Sequence, residues 1–230
     1  MISIIIITLN EEQYVGNLLS DLAQQTQKPY EVIVVDGYSK DKTIEVINRY
    51  KKKLPLTILK EDPHPSLQRN RGAQAAIGTT LIFLDADIYI PNKNFLKSVS
   101  HLSKEYGAIF PNIKIKDPNM KEKGMKMLMD ITLSFSRMIG LPGARGGCMI
   151  INRKIFKKVQ GFNEFLTVAE DVEMSRRLSK HTKLCYPKLS IYEDHRRYRQ
   201  QGILKTLWIW IIAGICSFFH KKPKEYKQIR

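Results

Sequence analysis

Thr79-Thr80-Leu81-Ile82-Phe83-Leu84-Asp85-Ala86-Asp87 is the stretch around which the chain is organised. Thr80 to Leu84 are uncharged, apolar after the leading Thr, and rich in β-formers, which suits a buried strand. Two carboxylates one residue apart, Asp85 and Asp87, follow where that strand should end. In an open parallel sheet, ligands bind at the carboxyl ends of the strands. Two acids placed there repel each other unless a cation lies between them, and hard oxygen ligands suit Mg²⁺ or Mn²⁺. The alternative is that the two acids only cap a turn.

Working upstream, Ser3 to Leu9 is β-branched and apolar, as expected of a strand buried on both faces. The run Ile2 to Thr8 is too short for a signal peptide and reads as the first strand. Asn10 is placed to cap a following helix, with Glu11 and Glu12 in its first turn and Val15, Leu18, Leu19 and Leu22 as its apolar stripe. Glu31 to Val35 predicts a second strand that ends at Asp36-Gly37. Asp41 starts another helix, Leu56 to Leu59 is a short strand, and Ser66 to Ala76 is a helix carrying Arg69 and Arg71. This β-α-β-α order implies an α/β fold: a mostly parallel sheet with helices on both faces.

Downstream, Asn94 to Leu102 predicts a helix and Ala108 to Ile115 a single strand, followed by a polar, basic surface stretch from Lys114 to Lys126. Met125, Leu128, Ile131, Phe135 and Met138 share a helical spacing. Five of the eight methionines lie between Met120 and Met138, so this helix either packs in the core or presents an adaptable apolar surface. Gly140 to Gly147 is a loop by composition, and its glycines either form turns or let a ligand approach. A strand, Cys148 to Ile151, follows it, and Glu170-Asp171 opens a further helix.

The 230 residues fit one large domain or a domain with an appendage, and the 43% hydrophobic content is enough for a sizeable core. Lys and Arg outnumber Asp and Glu by 38 to 22, a formal charge of +16 that favours a polyanionic partner. The three cysteines are dispersed, which excludes a disulfide framework or a Cys-rich zinc site and points to a reducing compartment.

The order of motifs resembles glycosyltransferase family 2, with the GT-A fold. The resemblance covers residues 2–200. Its elements are Ile7-Thr8-Leu9-Asn10-Glu11, Val35-Asp36-Gly37-Tyr38-Ser39-Lys40-Asp41, Arg71 and Asp85-Ala86-Asp87, then Gly161-Phe162-Asn163-Glu164, Glu170-Asp171-Val172-Glu173 and Arg177-Leu178. The resemblance implies a Rossmann-like, mostly parallel sheet and inverting transfer from a UDP- or GDP-sugar. Thr8, Asn10, Glu11 and Asp36 would then line the nucleotide pocket, with Arg71, Asp85 and Ala86 beside the donor. Asp87 would bind the metal directly, Asp85 would touch the ribose or the metal's water shell, and the ion would be Mn²⁺ or Mg²⁺. Asp171 matches the catalytic base. Gly146, Gly147, Glu170, Arg196 and Arg199 are assigned to the acceptor or phosphate side, and His195 is a candidate further metal ligand. The processive relatives' Gln-x-x-Arg-Trp motif is not evident, which implies one sugar per encounter.

The chain divides into a catalytic domain, 1–200, and an apolar and basic tail, 201–230. Leu207 to Phe219 is apolar on nearly every helical face, with Trp208 and Trp210 near its start and Lys221, Lys222, Lys224, Lys227 and Arg230 after it. At about 1.5 Å per residue such a helix is short for a bilayer core of about 30 Å. It suits an anionic membrane interface, the alternatives being the core, a homodimer contact or a span. The expectation is a peripheral protein on the cytoplasmic face with a lipid-linked or membrane-associated acceptor and no nucleic-acid partner. Two other classes compete. A sugar nucleotidyltransferase would carry a glycine-rich basic loop after its first strand, where this chain has Thr8-Leu9-Asn10-Glu11. A non-catalytic basic binder of membranes or nucleic acid would leave the ordered acidic motifs unexplained.

Overall fold

The computed structural model describes residues 1–138, 142–144, 146–166 and 169–194. In chain order the elements are β1 (Ile2–Thr8), α1 (Val15–Ala23), β2 (Glu31–Asp36), α2 (Thr43–Asn48), β3 (Leu56–Lys60) and α3 (Pro65–Ala75). Then come β4 (Thr80–Asp85), β5 (Ile88–Tyr89), α4 (Phe95–Leu102), β6 (Ala108–Ile109), β7 (Asn112–Ile115) and α5 (Met120–Met138). The last are β8 (Cys148–Asn152), α6 (Arg153–Lys158), α7 (Glu170–Ser179), β9 (Leu184–Cys185) and β10 (Ser190–Glu193).

The strands form a seven-stranded sheet in the order β3-β2-β1-β4-β8-β6-β9, with only β8 running against the rest. Alternation along the strands divides the core in two. Ile4, Ile6, Val32, Val34, Ile82 and Leu84 face α1 and α4, where Leu18, Leu22, Phe95 and Val99 meet them. Ile5, Ile33, Val35, Leu81 and Phe83 face the other way, against Ala73, Phe156, Met174 and Leu178 of α3, α6 and α7. A strand residue points to one face and its neighbour to the other, so an unbroken apolar run needs helices on both faces.

Three expectations are corrected. The helix predicted at Asn10 starts at Val15. Asn10 instead holds a left-handed conformation (φ 56°), receiving the Lys40 N–H on its side chain and donating its own N–H to Ser39. The single strand predicted from Ala108 to Ile115 is two. Pro111 lacks the N–H that a ladder needs, so β6 stays in the large sheet and β7 joins a smaller one, β5-β10-β7. The surface stretch predicted from Lys114 to Lys126 already belongs to α5 from Met120 onward. A reciprocal cap starts that helix: the Asn119 N–H donates to the Glu122 carboxylate, and the Glu122 N–H to Asn119 Oδ1.

The sheet's connections place a site. From β1 the chain winds outward through β2 to β3, then returns to the other side of β1 as β4. The reversal opens a crevice at the carboxyl ends of β1, β2 and β4. Register puts Thr8 opposite Asp36 and Ile7 opposite Asp85, so three polar side chains sit along one edge.

Candidate active site

The first wall of the crevice is built from β1, β2 and the loops that follow them. Asp36 is fully buried, and its carboxylate accepts from the Thr8 hydroxyl (2.9 Å), the Ser39 N–H (2.9 Å) and the Ser39 hydroxyl (2.5 Å). A buried carboxylate without such donors would be strongly disfavoured. The Glu11 N–H donates to Thr43 Oγ1 at 2.7 Å, and Glu11 itself is 3% exposed. Thr8, Asn10, Glu11 and Asp36, four of the predicted donor-side residues, therefore meet on one wall. Gln68 of α3 joins them: its buried amide donates to the Thr8 and Val35 carbonyls at 3.0 and 2.9 Å, tying the helix to both strand ends.

The second wall is organised by a buried arginine. Arg69 is 2% exposed, and its guanidinium bridges Asp85 Oδ1 (2.9 Å) and Glu170 Oε1 (2.7 Å). Burial alone would drive off its proton, but the Asp85 and Glu170 charges outweigh that and hold it above the usual arginine range. The Phe162 ring lies against the same guanidinium, 5.4 Å from its centre. Arg69 thus links the end of β4 to the start of α7.

Beside this bridge stands Asp171, in the first turn of α7. Burial, and then the neighbouring Glu170 charge, push its carboxyl up to about 7, against the pull of the Val172 N–H and Arg69. The Glu170–Asp171 pair is preceded by an unusual backbone. Ala169 caps the helix in the left-handed region (φ 61°), a strained state for a non-glycine residue of the kind that clusters at functional sites. Gly146 lies across from Asp171, and a Cβ there would sit 3.1 Å from Asp171 Oδ2. The Gly147 carbonyl accepts from the Asp85 N–H at 3.1 Å. Gly146, Gly147, Asp85 and Asp171 therefore converge.

Not every predicted residue joins them. Arg71 is exposed. At about 100° per residue, positions two apart on a helix point in nearly opposite directions, so α3 can aim only one of Arg69 and Arg71 at Asp85. It aims Arg69, which the sequence reading named on the helix without a role. Ala86 is 2% exposed and packs in the core with Ile88. Glu170, predicted on the acceptor side, holds Arg69. His195, Arg196 and Arg199, and the tail 201–230, lie outside the described residues.

For a metal, the donor set is carboxylate oxygen. Among the described residues no three or more His, Cys, Asp or Glu gather as a metal cluster. Asp85 and Asp87 fit a small dication that takes one or two carboxylates and completes its shell with water and substrate phosphate, as Mg²⁺ does.

A sequence model of glycosyl transferase family 2 matches residues 3–160. Over 146 residues the chain is 33% identical to the poly(ribitol-phosphate) beta-N-acetylglucosaminyltransferase TarS of Staphylococcus aureus, strain Mu50, covering 60% of this chain and 25% of that protein. The chain thus spans about a quarter of that relative's length. The crystal structure of S. aureus TarS in complex with UDP-GlcNAc superposes with a TM-score of 0.67 at 23% identity, covering 85% of this chain and 58% of that one. The mannosyltransferase PcManGT from Pyrobaculum calidifontis, in complex with GDP-Man and Mn²⁺, does so with a TM-score of 0.74 at 18% identity, covering 99% and 65%. At these identities the structures establish a common fold.

Proposed function

Since the chain belongs to glycosyl transferase family 2 and has the GT-A fold, we propose that it is a metal-dependent inverting glycosyltransferase. It moves one sugar from a nucleotide-sugar donor to a lipid-linked or other membrane-associated acceptor. The observation that carries the reading is the convergence of Asp171, Gly146, Gly147 and the Arg69–Asp85 bridge, with burial raising the Asp171 carboxyl.

The wall of Thr8, Asn10, Glu11 and Asp36 receives the base of the donor. Asp85 and Asp87 would hold the cation, which when bound would supply Lewis-acid stabilisation to the departing nucleotide diphosphate. Arg69 stays charged and fixes Asp85, so that carboxylate does not have to reorganise when the donor arrives. Asp171 takes the proton of an acceptor hydroxyl as its oxygen attacks the anomeric carbon. A general base works best with a pKa near the operating pH, and burial raises this carboxyl in that direction. With an acceptor phosphate, already ionised, Asp171 instead positions the nucleophile. The TarS relative and PcManGT, whose solved complexes hold UDP-GlcNAc and GDP-Man, support a nucleotide-sugar donor, with Mn²⁺ accompanying the latter.

A polyanionic acceptor is the second reading. It is favoured by the charge of +16 and by the poly(ribitol-phosphate) in the relative's name.

The test is a screen of UDP- and GDP-sugars with Mn²⁺, read by thermal stabilisation and nucleotide release. A binder raises the melting temperature by mass action. The reading predicts metal-dependent stabilisation and slow release for one donor class. No stabilisation by any nucleotide sugar would overturn it.

A further inference from the structure

Helix α5 is apolar on two sides. Met125 and Met129 are buried at 5% and 7% exposure, and the Gly143 position packs on Leu133. Met120, Met127, Leu128, Ile131, Phe135 and Met138 are 52–79% exposed. At about 100° per residue these six fall within a sector of roughly 100°, centred about 130° around the helix from Met125 and Met129. Scattered apolar residues on a surface need no explanation, but a continuous stripe along a 19-residue helix does.

We propose that this stripe is a membrane-contact face that lies in an anionic lipid surface. Charge complementarity selects the occupant. Residues 112–138 hold six basic against three acidic side chains, and Lys114, Lys116, Lys121 and Lys123 are exposed at the end where α5 begins. No helix among the described residues is long and apolar enough to cross a membrane, so α5 lies along the surface, as amphipathic interfacial helices do. The geometry gives the contact a purpose. Past α5, Gly143 packs on Leu133, the Pro142 carbonyl accepts the Ser175 hydroxyl of α7 (3.0 Å), and Gly146 lies against Asp171. A lipid surface under α5 thereby lies next to residues, Pro142, Gly143 and Gly146, that touch α5 at one end and Asp171 at the other. Only this purpose, delivery of a membrane-borne acceptor, rests on the proposed transfer reaction. The contact itself does not.

The experiment uses the full chain with vesicles of phosphatidylcholine alone or with phosphatidylglycerol. The triple variant Met127→Ser, Ile131→Ser, Phe135→Ser should lower partitioning onto the anionic vesicles by roughly tenfold or more, with its melting temperature and nucleotide-sugar binding unchanged. A fluorophore at Ile131→Cys should shift to the blue on adding the anionic vesicles, which reads the contact without the triple variant. Equal partitioning of parent and triple variant would overturn the inference and leave the tail as the anchor. So would a dimer, seen without vesicles, that the triple variant abolishes. Vesicle binding by a protein that turns over no nucleotide sugar would keep the contact and remove the transfer reaction.

Discussion

Arg69 Nη2 lies 2.9 Å from Asp85 Oδ1, and the same guanidinium lies 2.7 Å from Glu170 Oε1, one hundred and one residues away in sequence. One buried cation therefore joins the two halves of the crevice. Removing it strands two carboxylates. Breaking a buried pair costs about 3–5 kcal/mol, and Asp85 at 25% exposure recovers some of that through water. Arg69→Met is expected to lose about 3 kcal/mol in urea unfolding and to weaken donor binding. A variant as stable as the parent would show that the bridge holds nothing together.

Asp171 should make activity and stability respond oppositely to pH. Its folded pKa, about 7, lies above the unfolded value. Between the two, the folded state keeps a proton that the unfolded chain has released, so stability falls as pH rises through this window. Asp171→Asn carries no such penalty and should melt higher than the parent at pH 8 and nearly level with it at pH 4. With a hydroxyl acceptor, turnover of the parent should climb through about pH 7 as the carboxyl ionises, while the variant loses roughly a hundredfold or more. Parallel melting curves at both pH values would contradict the raised pKa.

Asp87→Asn should keep the fold and lose Mn²⁺-dependent donor binding. The position follows the end of a buried strand, the place where ligands bind in such sheets. Isothermal titration with the nucleotide sugar, with and without Mn²⁺, reads the change. Affinity that stays metal-dependent in the variant would remove Asp87 from the metal site.

Gly72→Ala tests how α3 is seated. A Cβ at Gly72 would lie 2.4 Å from Ile5 Cγ2 and 3.1 Å from Val35 Cγ2, both on the rigid central strands. Overpacking of this kind costs typically 1–3 kcal/mol. It should also lift Arg69 and Gln68 from their partners, so donor affinity should fall along with the denaturation midpoint. An unchanged midpoint would mean that the helix has slack the packing does not display.

The sequence by itself determined the repeating α/β order, the strand ends and the acids on them. Ile2–Thr8, Glu31–Asp36 and Thr80–Asp85 could be read because buried parallel strands are local, unbroken apolar runs, and each ends where its polar residue begins. Asp36 and Asp85 needed only that reading to be placed at strand ends; Thr8, inside the expected strand Ser3 to Leu9, was assigned to the pocket by the family resemblance. Tertiary structure decided which arginine enters the crevice. Arg69 and Arg71 are equivalent by composition, and only the way α3 seats Gly72 on Ile5 turns Arg69 inward. It also decided that Glu170 serves Arg69 and that Pro111 sends β7 to a second sheet. On α5 the methionine spacing was legible, yet one stripe is buried and the other exposed because the body covers only one side. Periodicity records which residues share a helical face, but the partner that covers a face comes from distant parts of the chain.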